Sequence, residues 1–311
     1  MGNAAKMPLV IVIIATFNSP ITLQTTISSL LGQDFVNFEA WIIGDCCTDE
    51  SEKIVFSFKD ERLNWVNLSK NSGSQAIPNN EGLKRAKGQY IAYLGHDDIW
   101  FPNHLSTLIE HLESQNADFV YCLSAMLSRD GNHVAAGQID SDIDNAKRFL
   151  KRGVHIPPSS WLYKKSITEE CGYWANPDEV YSPVDVEYLR RIIEKNKKMS
   201  FAENLFIVKF PSPWWGLYAM KDHFPQQHYL DLINQDPKLA SVKVLTELAN
   251  AYGKQYNQVS TIRQSLRLLL KSCFHFFSYQ YSYDKYPLKQ LLILKNRYER
   301  KRNRKKRGLS K

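Results

Sequence analysis

The strongest constraint on the fold is a run of aliphatic and β-branched residues near the start of the chain. Residues 8–16 read PLVIVIIAT, which is typical of a strand buried on both faces of a sheet. Helical and strand patterns alternate after it, and this order predicts an α/β fold with a mostly parallel central sheet flanked by helices. Strands are predicted at 8–16, 38–43, 63–68, 89–94, 118–123 and 205–210, and helices at 21–31, 50–58, 79–86, 102–112, 185–196, 239–252 and 261–277.

Polar residues follow three of the predicted strands at the points where those strands end. Ligands bind at this edge of an open parallel sheet, so we expect these residues to gather at one site. The sequence contains neither a GxGxxG nor a Walker A motif, so dinucleotide-binding and P-loop functions have no motif support. The candidate site residues at this edge are Thr16, Asn18, Asp45, His96, Asp97 and Asp98.

Two acids in succession, Asp97 and Asp98, are typical of a site for a hard divalent cation. Mg²⁺ or Mn²⁺ often uses one or two protein carboxylates and takes its other ligands from water and substrate phosphates. The alternative is structural, with Asp98 as a helix cap and Asp97 as a solvated turn residue. Asp45, after the second strand, could accept hydrogen bonds from a base or a ribose.

The order of motifs resembles the opening half of the family 2 glycosyltransferases. VIIATFN is followed by GDCCTDES, by Asn71-Ser72-Gly73 and by PNNEGLKRAKGQYIAYLGHDDIWFPNHL. The resemblance is strong over residues 7–125 and continues more weakly to about residue 212. It implies the GT-A fold and inverting transfer of a sugar from a nucleotide-diphosphate donor to a glycan or lipid-linked acceptor, as in cell-surface polysaccharide biosynthesis.

The resemblance also implies which residues bind the donor nucleotide. Thr16 and Asn18 stand where the family lines its base and ribose pocket. Asp45 matches an acid that contacts the base, and Asn80 matches the Asn of the family's Arg-Asn-x-Gly motif. Gly44 replaces the acid that usually precedes the position of Asp45.

The implied cation site is centred on Asp97, which matches the last Asp of the family's Asp-x-Asp motif. The implied cofactor is Mg²⁺ or Mn²⁺, with Asp98 or His96 as a possible helper. Gly95 stands where the first Asp of that motif would be. The first carboxylate of the usual cation site is therefore missing from this chain.

The resemblance implies a general base in the second half of the chain. The stretch SPVDVEYLR places Asp185 at the family's catalytic Asp, while Val184 replaces the Glu that usually precedes it. Glu187 is the reserve candidate. The alternative for Asp185 is an acid that complements the dipole at a helix N-terminus.

Charge is concentrated at the C-terminus. Residues 295–311 hold ten of the 40 Lys and Arg residues and one of the 32 acids, so the rest of the chain is close to neutral. An amphipathic basic helix predicted at 261–277 and this tail could lie on an anionic membrane surface. The alternative is a packed helix followed by a solvated tail. Because the body is near neutral, no nucleic-acid partner is expected.

The remaining features place the protein in a broad class. The five cysteines form no CxxC pair, and the start of the sequence has no pattern of a signal peptide, so we expect a cytoplasmic protein, peripheral at the inner face of the cell membrane.

We predict a nucleotide-sugar-binding half at 7–125, an acceptor-binding half at 126–235 and a helical, basic C-terminal extension at 236–311. Two alternatives stay open: a catalytically impaired nucleotide-sugar-binding protein, and a nucleic-acid-binding protein that acts through the tail.

Overall fold

The computed structural model describes residues 9–127, 133–136, 156–180, 182–219, 225–258, 297–302 and 304–305. In these residues the strands are β1 (Val10–Thr16), β2 (Phe38–Gly44), β3 (Leu63–Asn67), β4 (Tyr90–Tyr93), β5 (Ile99–Trp100), β6 (Phe119–Leu127), β7 (His133–Ala136), β8 (Trp161–Lys164) and β9 (Met199–Lys209). The helices are α1 (Pro20–Leu31), α2 (Ser51–Ser57), α3 (Ala76–Arg85), α4 (His104–Ser114), α5 (Ser166–Cys171), α6 (Val184–Glu194), α7 (Ser212–Trp215), α8 (Gln226–Gln235) and α9 (Pro237–Gln258). Short 3₁₀ turns lie at Pro158–Ser160 and Leu217–Ala219, and residues 297–302 and 304–305 are helical.

The described strands form one sheet in the order β3-β2-β1-β4-β8-β6-β9-β5, with β7 paired to the outer end of β6. Strands β1, β2, β3, β4, β6 and β9 run in one direction, and β5, β7 and β8 run against their neighbours. The predicted α/β class, with a mostly parallel sheet and flanking helices, is confirmed.

Strand β1 lies in the middle of the parallel part and contributes to both hydrophobic cores. Its side chains alternate between the two faces because successive residues of a strand point in opposite directions. Val10, Val12 and Ile14 pack on the face covered by α1 and α4. Ile11 and Ile13 pack on the face covered by α3 and α6. All five are fully buried, as the continuous apolar run predicted.

The elements of the first third match their predictions to within a few residues. Later in the chain, β5, β7, α5, β8 and α7 were not predicted, because their patterns are too brief to be recognised from sequence, and the ten-residue helix α8 was also missed. Strand β9 begins six residues earlier than predicted, because its first residues pair with the start of β6. The helix predicted at 261–277 lies outside the described residues.

The sheet is continuous across the predicted boundary at residue 125. Strand β8, from the second half of the chain, lies between β4 and β6 of the first half. The side chain of Asn80 on α3 adds a second link, since it bonds both the backbone N–H and the carbonyl of Trp174 at 2.8 and 2.9 Å. Among the described residues, we find no helix that is both long and apolar enough to span a bilayer.

Helix α3 packs unusually close to β1 at Gly82. A Cβ atom at this position would lie 2.6 Å from Cγ2 of Ile13, which is fully buried in the second core. Such a separation is too short for two carbon atoms, so the glycine is what allows the helix to approach the sheet. This contact fixes the distance between α3 and the central strand.

We predict that Gly82→Ala destabilises the protein by about 1–3 kcal/mol, the usual cost of overpacking a core. Gly253→Ala is the matched control, because this glycine also lies on a helix and nothing approaches its Cβ position within 4 Å. The control should be neutral or slightly stabilising, since alanine favours the helix. Equal stability of the two variants in urea unfolding would contradict the close-packing explanation.

Candidate active site

A cavity of about 410 Å³ opens at the edge of the sheet where β1 and β4 end. Residues from both halves of the chain line this cavity. The sequence analysis predicted a site at this edge of the sheet. Its walls come from the ends of β1, β4 and β9, from the turn after β4, from the start of α6 and from the basic C-terminal residues. The polar and charged residues that line it include His96, Asp97, Asp185, Lys209, Tyr218 and Arg304.

The structure brings Asp97 and Asp185 to the same cavity, although they are far apart in the sequence. Asp97 lies in the turn after β4, and Asp185 lies in the first turn of α6. Both are largely buried, with 9% and 6% of their surface exposed. Two carboxylates on the walls of one cavity can bind a cation and accept a proton, which are the two roles predicted for them.

Lys209, at the end of β9, carries a positive charge at the base of this cavity. Its Nζ lies 2.5 Å from Oδ2 of the fully buried Asp98. Burial alone would lower the pKa of Lys209, but the carboxylates of Asp98 and Asp97 outweigh it and raise the pKa above its ordinary value. Lys209 therefore stays protonated, and Asp185 also contributes to this stabilisation.

Both the carboxylate and the backbone carbonyl of Asp98 accept hydrogen bonds from the protein, and Asp98 does not line the cavity. Besides Lys209, its carboxylate accepts hydrogen bonds from the hydroxyl of Ser159 and from the backbone N–H of Phe210. Its own carbonyl accepts a bond from the hydroxyl of Thr26. These contacts hold the turn after β4 in place, so the geometry gives no support to Asp98 as a cation ligand or as a helix cap.

The position of Asp98 explains why residue 95 is a glycine. A Cβ atom on Gly95 would lie 2.6 Å from Oδ2 of Asp98 and 3.2 Å from Oδ1 of Asp97. A third carboxylate would also be repelled by the two that are present. An aspartate at position 95 would therefore clash with Asp98 as it is placed here.

A smaller cavity of about 100 Å³ adjoins the first and contains the predicted nucleotide-binding residues Thr16 and Asp45. The carboxylate of Asp45 accepts hydrogen bonds from the backbone N–H groups of Ser72 and Gly73, at 2.8 and 3.0 Å. Asp45 thus holds the 71–73 loop against the end of β2. Seven residues, Ala15, Gly73, Ser74, Gln75, His96, Tyr218 and Arg304, line both cavities.

His96 lies at the junction of the two cavities, as its predicted role in donor binding requires. Its Nδ1 is 3.1 Å from the carbonyl of Ala15, which can only accept, so Nδ1 carries the proton. Its Nε2 then accepts from the hydroxyl of Tyr218 at 3.4 Å. The ring is thereby fixed between the end of β1 and the 3₁₀ turn that contains Tyr218.

Besides Asp98, three predicted residues are not among those that line the cavities. Asn18 joins the ends of β1 and β2, since its side chain accepts a bond from the N–H of Thr48 at 2.9 Å. Asn80 bonds the backbone of Trp174, and its neighbour Asn79 lines the larger cavity instead. Glu187 forms an ion pair with Arg191 at 2.9 Å. Their proposed roles in binding or catalysis remain predictions, and the geometry supports positioning roles.

The replacement of an acid by Gly44 also has a structural cause. A Cβ atom there would lie 2.7 Å from Oδ1 of Asn67 and 2.8 Å from the ring of Trp65. Both residues belong to β3, the neighbouring strand. The side chains of β3 therefore occupy the volume in which the family's first acid would stand.

The donor set at Asp97 fits a divalent cation that takes most of its ligands from a substrate. No group of three or more His, Cys, Asp or Glu side chains arranged to hold a metal occurs in the described part of the chain. Asp97 contributes one carboxylate beside an open cavity, and Mg²⁺ commonly binds through one or two carboxylates together with phosphate oxygens and waters.

Sequence reasoning missed Lys209, Tyr218, Arg300 and Arg304 as cavity residues. Lys209 carried a signal, because it is the one charged residue in the apolar stretch LFIVKF. Charged residues are rarely buried in a strand unless they are paired or functional. The two arginines could not be found from sequence, since only the folded chain brings residues 297–305 beside the ends of β1 and β4.

The family comparison agrees with this geometry. The family model "Glycosyl transferase family 2" matches residues 11–172, which is about half of the chain. The protein therefore belongs to glycosyl transferase family 2. The matched part contains β1 to β8, and hence the turn with Asp97, but it ends before Asp185 and Lys209.

Two curated relatives are similar to part of the chain. TuaG of Bacillus subtilis (strain 168), named as a teichuronic acid biosynthesis glycosyltransferase, is 33% identical over 126 residues, which is 40% of this chain and 50% of TuaG. The Escherichia coli UDP-Glc:alpha-D-GlcNAc-diphosphoundecaprenol beta-1,3-glucosyltransferase WfaP is 36% identical over 115 residues, 37% of this chain and 45% of WfaP. The matched part thus spans half or less of the length of these relatives.

Solved structures support the same fold at lower sequence identity. Staphylococcus aureus TarS 1-349 in complex with UDP-GlcNAc has a TM-score of 0.57 and 19% identity, covering 87% of this chain and 79% of that one. The mannosyltransferase PcManGT from Pyrobaculum calidifontis, in complex with GDP-Man and Mn²⁺, has a TM-score of 0.52 and 14% identity, covering 95% and 88%. The predicted GT-A fold is confirmed.

We predict that Lys209→Met destabilises the protein by about 3–5 kcal/mol, because it leaves the buried carboxylate of Asp98 without its counter-ion. The raised pKa of Lys209 keeps the lysine charged at neutral pH, and its contribution to stability is lost only as the pH rises above the ordinary range for lysine. Adding Asp98→Asn to Lys209→Met should recover part of the loss in chemical unfolding.

The control for this experiment is Lys53→Met. Lys53 also pairs with a carboxylate, that of Glu50 at 2.7 Å, but 78% of its side chain is exposed. Water replaces such a partner readily, so the control should unfold at close to the wild-type denaturant concentration. If Lys209→Met and Lys53→Met lowered the free energy of unfolding by the same amount, burial of the ion pair between Lys209 and Asp98 would not explain the loss.

Proposed function

We propose that this protein is an inverting glycosyltransferase that moves a sugar from a nucleotide-diphosphate donor to a hydroxyl of a glycan or lipid-linked acceptor. The observation that carries the proposal is that Asp97 and Asp185 line one cavity. Family membership supports the reaction class, since the matched region contains the turn with Asp97.

The two adjoining cavities suggest how the donor is oriented. The nucleoside would occupy the smaller cavity near Thr16 and Asp45, and the sugar would lie in the larger cavity near Asp185. The diphosphate would then pass His96 at the junction and reach Asp97. A divalent cation held by Asp97 would supply Lewis-acid stabilisation of the negative charge on the leaving diphosphate.

Asp185 would act as the general base. Its carboxylate takes the proton from the acceptor hydroxyl while the hydroxyl oxygen attacks the anomeric carbon. The bond between that carbon and the diphosphate oxygen breaks, and the nucleoside diphosphate leaves from the opposite face. A single displacement inverts the configuration. Lys209, which lines the same cavity, adds a fixed positive charge beside this reaction.

The names of similar proteins indicate which substrates to test first. WfaP is named for UDP-Glc and a diphosphoundecaprenol-linked GlcNAc acceptor, TarS was solved with UDP-GlcNAc, and PcManGT with GDP-Man and Mn²⁺. We propose a nucleoside-diphosphate hexose as the donor and a lipid-linked glycan in cell-surface polysaccharide synthesis as the acceptor. Such an acceptor would place the enzyme in the cytoplasm, at the inner face of the membrane.

We predict that Asp185→Asn and Asp97→Ala each reduce turnover by about 10² or more, the scale at which a general base or a cation ligand contributes. Glu194→Gln, at the far end of the same helix as Asp185, is the control and should keep normal turnover. The measurement is transfer of radiolabelled sugar to a lipid-linked acceptor, with thermal melting to show that each variant is folded.

The two variants should differ in binding. Asp185→Asn should still bind UDP in the presence of Mn²⁺, whereas Asp97→Ala should lose the increase in affinity that Mn²⁺ gives to the wild type. Full turnover of Asp185→Asn would remove this residue from the role of base. A wild-type protein that binds donor without any transfer would instead be the impaired nucleotide-sugar-binding protein left open by Gly95 and Val184.

Membrane contact is proposed for the end of the basic tail. The bases from residue 305 onward are Lys305, Lys306, Arg307 and Lys311, and Lys305 is exposed. Each Lys or Arg near an anionic surface contributes about 1 kcal/mol of attraction. A tail that binds the membrane would keep the enzyme close to a lipid-linked acceptor.

We predict that replacing Lys305, Lys306 and Arg307 together by Gln weakens binding to phosphatidylglycerol vesicles by about 100-fold, since three charges are removed. The measurement is vesicle flotation with the full-length chain. Neutral phosphatidylcholine vesicles are the control and should bind neither protein. Equal flotation of both proteins with anionic vesicles would contradict a role for these bases in membrane contact.

A further inference from the structure

The C-terminal residues 297–302 and 304–305, here called the basic segment, lie beside the donor cavities. Glu299, Arg300 and Arg304 line the larger cavity, and Arg304 also lines the smaller one. The sequence alone favoured a membrane-bound or solvated tail for this region. The structure instead brings one side of the segment to the edge of the sheet where the candidate active site lies.

The basic segment is held in place by Asp178, in the loop between α5 and α6. Arg300 donates to Oδ1 of Asp178 at 2.6 Å, and Arg297 donates to the backbone carbonyl of Asp178 at 3.2 Å. The hydrogen bond from Arg300 lowers the pKa of Asp178. Asp178 therefore contacts two residues of the first turn of the segment, and residues of this turn and the next line the cavities.

Arg304 approaches the backbone at Gly73, in the loop that Asp45 holds. A guanidinium nitrogen of Arg304 lies so close to Gly73 that a Cβ atom at this position would clash with it. Gly73 has a φ of +65°, a conformation that residues with a side chain rarely adopt. Gly73 thus allows both the backbone conformation of this loop and the close approach of Arg304.

The position of Arg304 matches one part of a nucleotide-sugar donor. The diphosphate connects the nucleoside to the sugar, so it must cross the junction between the smaller cavity with Asp45 and the larger cavity with Asp185. Arg304 is the arginine that lines both cavities among the described residues. A guanidinium presents several N–H donors in one plane and binds phosphate oxygens in pairs.

Given the proposed function, we propose that Arg304 binds the donor diphosphate and that the basic segment is a wall of the donor site. Arg300 lines the same cavity and, through Asp178, positions the segment. The two arginines add positive charge to the cavity that Lys209 and Asp97 also line.

The test is to measure the affinities of the full-length protein for UDP and UMP by titration calorimetry, because the two ligands differ only in the terminal phosphate. If the wild type prefers GDP, GDP and GMP take their place. We expect Arg304→Gln to weaken UDP binding by about 10-fold, the loss of a charge-assisted hydrogen bond, and to change UMP binding much less. Arg304→Lys should recover part of the loss.

Arg302→Gln is the matched control. It removes the same charge from the same segment, but Arg302 is exposed and does not line either cavity. In Arg302→Gln, the ratio of UDP affinity to UMP affinity should stay within about twofold of the wild-type ratio, because salt screens an exposed charge. Asp178→Asn should reduce the ratio in the same direction as Arg304→Gln, by loosening the segment.

Two results would overturn the proposal. One is an unchanged ratio of UDP to UMP affinity in Arg304→Gln. The other is an equal loss in Arg304→Gln and Arg302→Gln, which would indicate a general effect of charge. A wild-type protein that binds no nucleoside diphosphate at all would count against the proposed function as well, whereas wild-type binding with a normal ratio in Arg304→Gln counts against Arg304 alone.

Discussion

The site depends on the ion pair between Lys209 and Asp98, which lies at the base of the larger cavity. It joins the last residue of β9 to the turn after β4, and Ser159 and Phe210 complete the contacts of the carboxylate. A buried charge pair of this kind is costly to desolvate, and removing one partner leaves an uncompensated charge in the interior. The pair engages Asp98 inside the protein, whereas its neighbour Asp97 lines the cavity wall.

The fold could be predicted from the sequence because its central elements are long and strongly patterned. The run at β1 alternates between two cores, and Val10 to Ile14 are fully buried as the pattern requires. Short elements such as β5 and β8 were missed, because two to four residues carry no measurable periodicity. Their positions are determined by pairing with β9 and β4, which is information that lies far away in the sequence.

The site was predictable in part, for a physical reason. Residues at strand ends, such as Thr16, Asp45 and Asp97, are placed by the sheet itself, and the structure brings them to adjoining cavities. Asn18, Asn80 and Glu187 have side chains whose direction depends on nearby partners, and those partners, Thr48, Trp174 and Arg191, turn them to other contacts. The arginines of the basic segment depend on the path of the whole chain, which no local pattern encodes.

The place of β8 has a mechanical consequence. Enzymes made of two separate lobes often close around their substrates by bending at a hinge, but here a strand of the later half lies between two strands of the earlier half. Bending there would break backbone hydrogen bonds on both sides of β8. Any closure over a bound substrate has to come from peripheral elements, while the sheet behaves as a stiff platform.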